Sequence, residues 1–276
     1  MILCAYRSIQ SHKIYACALK KKSIEFWVSF ASICFVFGCT NSEVKLSKAS
    51  NHPEVKVEQP VAKPSKQQLQ DSVLLDIVAL EDYIPEIHTE LKYAGSDNFM
   101  LQKLYVLWKK VYVQKSIADQ LKKAQNRLHQ LNPKLHLLVY DAARPVEIQR
   151  KMWFALDSIP PMERGKFVSS PYNKSLHNYG CAVDLTLCND QGIPLDMGAG
   201  FDDLRKIAYP SMENYYLSTG EITQEQVANR RLLRSVMRFA GFSGLATEWW
   251  HFNGCSKAYA KQHFKVIEHE DDVFNK

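Results

Sequence analysis

Ser175-Leu-His-Asn-Tyr-Gly-Cys-Ala-Val-Asp184 is the stretch from which the rest of the chain can be read. It carries a nitrogen ligand type, His177, and an oxygen ligand type, Asp184, on either side of Gly180. Ala182 to Leu187 reads as a buried strand. In one unbroken strand, residues seven apart point to opposite faces, so His177 and Asp184 converge only if the chain bends near Gly180. Glycine gives the backbone that freedom. A borderline metal such as zinc takes histidine and carboxylate ligands, and a catalytic zinc site keeps three protein ligands and one open position. The third ligand type lies downstream in Thr247-Glu-Trp-Trp-His-Phe252, where His251 stands three residues after Glu248.

Taken singly, these residues say little, because a lone histidine is more often a hydrogen-bonded structural residue than a ligand. Together they say more. Two histidines, an aspartate and a glutamate set in a tryptophan-rich, water-poor stretch supply what zinc-assisted hydrolysis requires. The pattern S-x-H-x-x-x-x-A-x-D-L-T-L followed by E-W-W-H resembles the D-alanyl-D-alanine dipeptidases, zinc peptidases associated with vancomycin resistance and D-Ala-D-Ala recycling. The resemblance runs from about Leu74 to Phe264.

It implies one zinc ion per chain, held by His177, Asp184 and His251, with Glu248 taking a water's proton and passing it to the leaving amine. Asp141-Ala-Ala-Arg-Pro145 matches the family's D-x-x-R-P, which implies that Arg144 stabilises the charge building on the substrate carbonyl and places Asp141 at the substrate site. Without the family, Arg144 and Asp141 fit a surface salt bridge equally well. Phe201-Asp202 matches a Phe-Asp pair that sets a carboxylate at the substrate's free amino group, and the adjacent Asp203 is expected to point elsewhere. Ser175 has two equal readings: it anchors the substrate carboxylate, or it orients His177. The implied fold is α+β, a small and mainly antiparallel sheet bearing the zinc site with helices packed against it, of the hedgehog and D,D-peptidase kind. The implied activity is zinc-dependent hydrolysis of free D-Ala-D-Ala to D-alanine in the cell envelope.

With 276 residues, the chain can hold one good-sized catalytic domain and an N-terminal extension. A hydrophobic share of 46% and a charged share of 23% are ordinary for a globular protein. The net charge of +6 comes with no basic stripe interleaved with aromatics, which argues against nucleic-acid binding. Nothing in the sequence calls for an obligate protein partner.

Residues 1–39 read as an export signal. Lys20 to Lys22 form a basic region, and Phe26 to Phe37 an apolar run shorter than the roughly 20 residues a membrane span needs. Val36-Phe37-Gly38-Cys39 resembles a bacterial lipobox, with Cys39 the expected lipid attachment site and the membrane the expected partner of that anchor. Residues 40–70, rich in Lys, Ser, Pro, Glu and Gln, read as a flexible tether, and residues 71–276 as the catalytic domain. Of the seven cysteines, Cys181, Cys188 and Cys255 then remain in that domain. A bridge between Cys188 and Cys255 is one open arrangement outside the cytoplasm.

Within the domain, Ile117, Leu121, Ala124, Leu128 and Leu131 follow the apolar stripe of an amphipathic helix. Leu135 to Tyr140 reads as a buried strand, and Pro145 as the opening of a helix. Thr223-Gln-Glu-Gln226 is a capping-box pattern opening a helix with Val227, Leu232, Val236, Met237 and Ala240 as core. Asn229-Arg230-Arg231 reads as its solvated face, Trp249 and Trp250 as walls of the site, and the acidic Glu268–Asp272 tail as surface. Three further readings stand beside the dipeptidase: a zinc D,D- or L,D-carboxypeptidase trimming peptidoglycan stem peptides, a catalytically inactive wall-binding lipoprotein, and a structural envelope lipoprotein whose motifs only stabilise the fold.

Overall fold

Alternation along Ala182-Val-Asp-Leu-Thr-Leu-Cys188 sets the architecture, since successive positions of a strand face opposite sides. Val183, Leu185 and Leu187 join the main hydrophobic core, and Asp184, Thr186 and Cys188 turn the other way. A computed structural model describes residues 75–165 and 167–274. The expected signal, Cys39 and the tether lie outside the described residues.

The principal elements, in chain order, are β1 (Ile77–Ala79), β2 (His88–Thr89), β3 (Tyr112–Gln114), α1 (Lys115–Leu131), β4 (Leu135–Asp141), α2 (Val146–Ala155), β5 (Ala182–Asn189), α3 (Gln224–Phe239), β6 (Ser243–Gly244), β7 (His251–Asn253) and α4 (Lys257–His263), joined by loops and shorter helical turns. One sheet has the order β2-β4-β5-β7-β6, and β1 and β3 form a separate two-stranded ladder. Among the described strands, β2–β4 is parallel and the other pairings are antiparallel. The α+β fold with a mainly antiparallel sheet is what the motifs imply.

Helices α1 and α3 cover the apolar face of the sheet. Ile117, Leu121, Ala124 and Leu128 of α1 are buried against Val183, Leu185 and Leu187 in one cluster, each large side chain contributing about 1.5–3 kcal/mol. Leu131, the last residue of the expected stripe and of α1, is 48% exposed. The capping box opens α3: Thr223 Oγ1 accepts from Gln226 N at 3.2 Å, and Gln226 Oε1 accepts from Thr223 N at 2.7 Å. Leu233 rather than Leu232 is fully buried on this helix.

Three expectations are corrected. Arg230 is wholly buried, not solvated, and donates to the carbonyls of Met197 at 2.6 Å and Ile207 at 3.0 Å. It thereby pins the loop that carries Asp202. Glu270 of the acidic tail is also buried and accepts from the backbone N–H groups of Val106, Leu107 and Trp108 at 2.7–3.0 Å. The third concerns the cysteines. Cys188 faces His136 of β4 and packs with Leu138 and Tyr140. Cys255 follows β7, whose Asn253 pairs with Ala182 at the far end of β5. At about 3.3 Å of rise per residue, Cys188 and Cys255 are beyond the reach of a disulfide, and neither is bridged.

Candidate metal centre and active site

Strand register places two ligands without further help. Asp184 of β5 lies opposite His251 of β7, and residues directly opposite in an antiparallel pair present their side chains to the same face. Asp141 of β4 lies opposite Asp184 on the other side, so three functional side chains stand in one row across the sheet. His177 arrives from outside the row. It begins a short 3-10 turn, His177–Tyr179, which Gly180 closes at φ 67°, ψ 27°. That left-handed geometry suits glycine, and a Cβ there would stand 3.2 Å from Gln114 N. The expected bend is the one the chain makes.

The result is a tight triangle. His251 Nδ1 is 2.9 Å from Asp184 Oδ1 and 3.2 Å from His177 Nε2, and His177 Nε2 is 3.4 Å from Asp184 Oδ2. The rear nitrogens settle which ring atoms point inward. His177 Nδ1 lies 2.6 Å from the Ala142 carbonyl, which can only accept, so Nδ1 carries the hydrogen and Nε2 a lone pair. His251 Nε2 donates likewise to Asn253 Oδ1 at 2.9 Å, leaving the lone pair on Nδ1. Two neutral nitrogens and a carboxylate thus face one another, an arrangement that a cation resolves. Tetrahedral ligands at zinc's usual bond lengths are about 3.3 Å apart, close to the edges observed. Without a metal, burial works to raise the pKa of Asp184, but His177 and His251, when protonated and donating to it, hold it well below the usual carboxylate range; a cation between the three groups would take over that role, so Asp184 stays an anion. The residues fit a divalent metal.

Arg144 is gripped at both backbone atoms. Its N–H donates to the His177 carbonyl at 2.9 Å, and its carbonyl accepts from Asn178 Nδ2 at 2.7 Å. Its Nε and Nη2 both reach Asp141 Oδ2, at 2.9 and 2.7 Å, and Nη2 lies 3.3 Å from Asp184 Oδ2. Nη1 makes no hydrogen bond among the described residues, and the guanidinium stands 5.2 Å over the Tyr93 ring. These groups open on a cavity of about 500 Å³ whose lining includes Arg144, His177, Asp184, Asp202, Glu248, Trp250 and His251. Glu248 Oε2 is 3.9 Å from His251 Nδ1, and burial, with help from the charge of Asp184, pushes its pKa above the ordinary value. Across the cavity, Tyr93 donates to Asp202 Oδ2 at 2.9 Å.

The family profile for D-ala-D-ala dipeptidase matches residues 74–269. The chain belongs to that family. Among curated relatives, the D-alanyl-D-alanine dipeptidase of Escherichia coli K12 is 34% identical over 177 residues, covering 64% of this chain and 83% of that protein. The enzyme of the same name from Enterococcus faecalis V583 is 28% identical over 200 residues, covering 67% of this chain and 94% of that one. A solved structure, the LdcB LD-carboxypeptidase, aligns with a TM-score of 0.38 at 16% identity over 68% of this chain and 72% of that one, a likeness too loose to argue from.

The site of this dipeptidase-family metallopeptidase departs from the sequence expectations at several residues. Asp141 is fully buried and does not line the cavity. It lies behind Arg144, where it also accepts from Tyr105 at 2.8 Å, so it positions the arginine and does not meet substrate. Ser175 does not orient His177, because that nitrogen is taken by Ala142; its hydroxyl donates to Gln149 Oε1 at 2.7 Å and it lines the cavity. Asp203, expected to point elsewhere, also lines the cavity, with its carboxylate paired to Arg205 at 2.6 Å. Trp250 walls the catalytic cavity, whereas Trp249 faces a neighbouring one.

Sequence reasoning missed Tyr93, Asn178 and Asn253. Asn253 had a usable signal, since residues two apart on a strand share a face and His251 needs a partner for its second nitrogen. Asn253→Leu removes that acceptor. It is expected to weaken divalent-metal binding about 10–100-fold, measured by competition with a chromophoric chelator. Unchanged affinity would show that the Asn253 contact does not orient the ring.

Proposed function

We propose that this chain hydrolyses the free dipeptide D-Ala-D-Ala to two molecules of D-alanine, with zinc as its metal, in the cell envelope. The donor set of two imidazole nitrogens and one carboxylate, at near-tetrahedral spacing, favours zinc over the harder cations that prefer all-oxygen sites. The envelope location rests on the N-terminal signal and the lipid expected at Cys39. Among the described residues, no helix is long and apolar enough to cross a membrane.

Asp202 carries the substrate reading. It is held at φ 61°, a left-handed conformation that costs a non-glycine residue about 1 kcal/mol or more. Burial, reinforced by the charge of Asp184, pushes its pKa up to about 8 against the Tyr93 hydrogen bond and Arg144. A carboxylate so poorly compensated gains from an incoming cation. The ammonium group of a free dipeptide is one; an acylated peptide has none there and would leave the carboxylate unpaired. A bound zinc ion would polarise the scissile carbonyl and make a water acidic enough to attack at neutral pH. Glu248 accepts that water's proton and returns it to the departing amine. Arg144, with Nη1 free and the rest of its guanidinium fixed by Asp141, donates to the oxygen on which negative charge develops. Ser175, at the cavity wall, is left as an anchor for the substrate carboxylate. The presence of every ligand, the base and the arginine on one cavity argues against the inactive wall-binding reading.

Asp202→Asn tests the substrate directly. The variant is expected to lose about 100-fold in kcat/KM on D-Ala-D-Ala while cutting N-acetyl-D-Ala-D-Ala no worse than the parent. Equal cleavage of both substrates by the parent chain would move it to the carboxypeptidases. The same variant has a stability signature in the metal-free protein. Because the folded pKa of Asp202 exceeds that of an unfolded aspartate, the folded state holds the extra proton between about pH 4 and 8, and stability falls as pH rises through that window. Asp202→Asn removes that loss, so its Tm should exceed the parent's by a few degrees at pH 8.5.

A further inference from the structure

The metal ligands Asp184 and His251 sit on adjacent strands whose pairing continues to Ala182 and Asn253. One step further, Gly254 N donates to the Cys181 carbonyl at 2.9 Å. Cys255 is the next residue, so Cys181 and Cys255 flank the end of the β5–β7 ladder. Cys255 lies just past the end of β7, and the chain there turns its side chain inward: Cys181 belongs to the main hydrophobic core and Cys255 packs against the same cluster, so both sulfurs lie on one side of the ladder's end. Cys181 is buried and Cys255 half-buried, and both are unbridged; Cys181 Sγ donates to the Tyr179 carbonyl at 3.5 Å, and the two thiols lie close enough to shift each other's pKa. We propose that Cys181 and Cys255 form a disulfide that staples β5 to β7 beside the metal centre.

The pairing differs from the one that spacing alone left open, and the reason is register. Cys255 follows the β7 end next to Ala182, whereas Cys188 lies at the other end of β5. The reactivity of the two sulfurs is ordered. The interaction between the two thiols lowers the pKa of Cys255 against its partial burial and, with burial, pushes Cys181 up. Cys255, the more accessible and more acidic, is therefore the attacking thiolate.

The oxidant is an external disulfide, either a small-molecule one or that of an oxidoreductase. The Cys255 thiolate attacks one of its sulfurs, forming a mixed disulfide and releasing the first thiol, which takes up a proton. Cys181 then loses its proton and attacks the Cys255 sulfur, and the second thiol leaves and is protonated. Two electrons pass from the protein to the external disulfide, and no other reactant is consumed. The closed loop contains Asp184, Asp202, Glu248 and His251, so the staple constrains the segment that supplies most of the site.

The test uses the full chain with Cys188→Ala, equilibrated with oxidised glutathione, unfolded, alkylated and mapped by mass spectrometry. The expected product is a peptide pair joined through Cys181 and Cys255. The oxidised protein should melt about 5–10 °C above its dithiothreitol-treated form, and Cys255→Ser should abolish that difference. Alkylation of both cysteines after oxidation, a link from either one to another cysteine, or a Tm indifferent to dithiothreitol would overturn the proposal. A chain inactive on D-Ala-D-Ala would leave this result unaffected.

Discussion

Replacing Glu248 with glutamine is expected to lower kcat/KM on D-Ala-D-Ala by about 10³-fold while leaving zinc binding within a few-fold of the parent. Glu248 lines the cavity 3.9 Å from His251 but belongs to no edge of the His177–Asp184–His251 triangle. Glutamine keeps its size and removes only the ability to take a proton. Burial raises the glutamate's pKa, first among the influences on it, which brings its basicity closer to that needed for proton transfer near neutral pH. The two readouts separate the roles. Loss of turnover with metal retained marks the base, whereas loss of both would make Glu248 a fourth ligand. Full turnover with metal bound would remove it from the mechanism.

Arg144→Lys is the second large effect. An oxyanion donor is worth about 10²–10³ in kcat, and lysine cannot reproduce a guanidinium held through Nε and Nη2 while Nη1 stays available. The expected result is a kcat lowered by that factor with a much smaller change in KM. Alanine is the poorer probe. It would leave Asp141 buried with no cation, at a cost of about 3–5 kcal/mol, and mix instability with lost catalysis. A lysine variant whose kcat matches the parent would show that Arg144 serves only to hold Asp141 and the His177 turn together.

The parts of the site that were legible in the sequence are those encoded within a few residues. His177, Gly180 and Asp184 lie close enough that strand geometry alone demands the bend, and Glu248 and His251 share one short segment. The capping box of α3 is equally local. Register was not legible. Asp184 meets His251 because β5 and β7 pair at that position, and that pairing also decides which cysteine Cys255 meets. Contacts between distant segments stayed hidden for the same reason: Tyr93 reaches Asp202 across 109 residues, and Glu270 caps backbone N–H groups 162 or more residues upstream. Arg230 shows the limit of composition. An arginine on an amphipathic helix reads as solvated, but here it is buried, with Nε and Nη1 donating to the carbonyls of Met197 and Ile207 and Glu213 3.8 Å from Nη1. Burying it fixes the loop on which Asp202 is strained.

The most direct measurement is a metal titration of the full chain. Protein stripped with a chelator would receive zinc in steps, with release of D-alanine from D-Ala-D-Ala followed at each step. Three converging ligands predict no activity before addition, a linear rise to a plateau at one zinc per chain, and no recovery at those concentrations in Asp184→Asn. Undiminished hydrolysis in the stripped protein, or the same titration curve from Asp184→Asn, would contradict a metal centre at His177, Asp184 and His251.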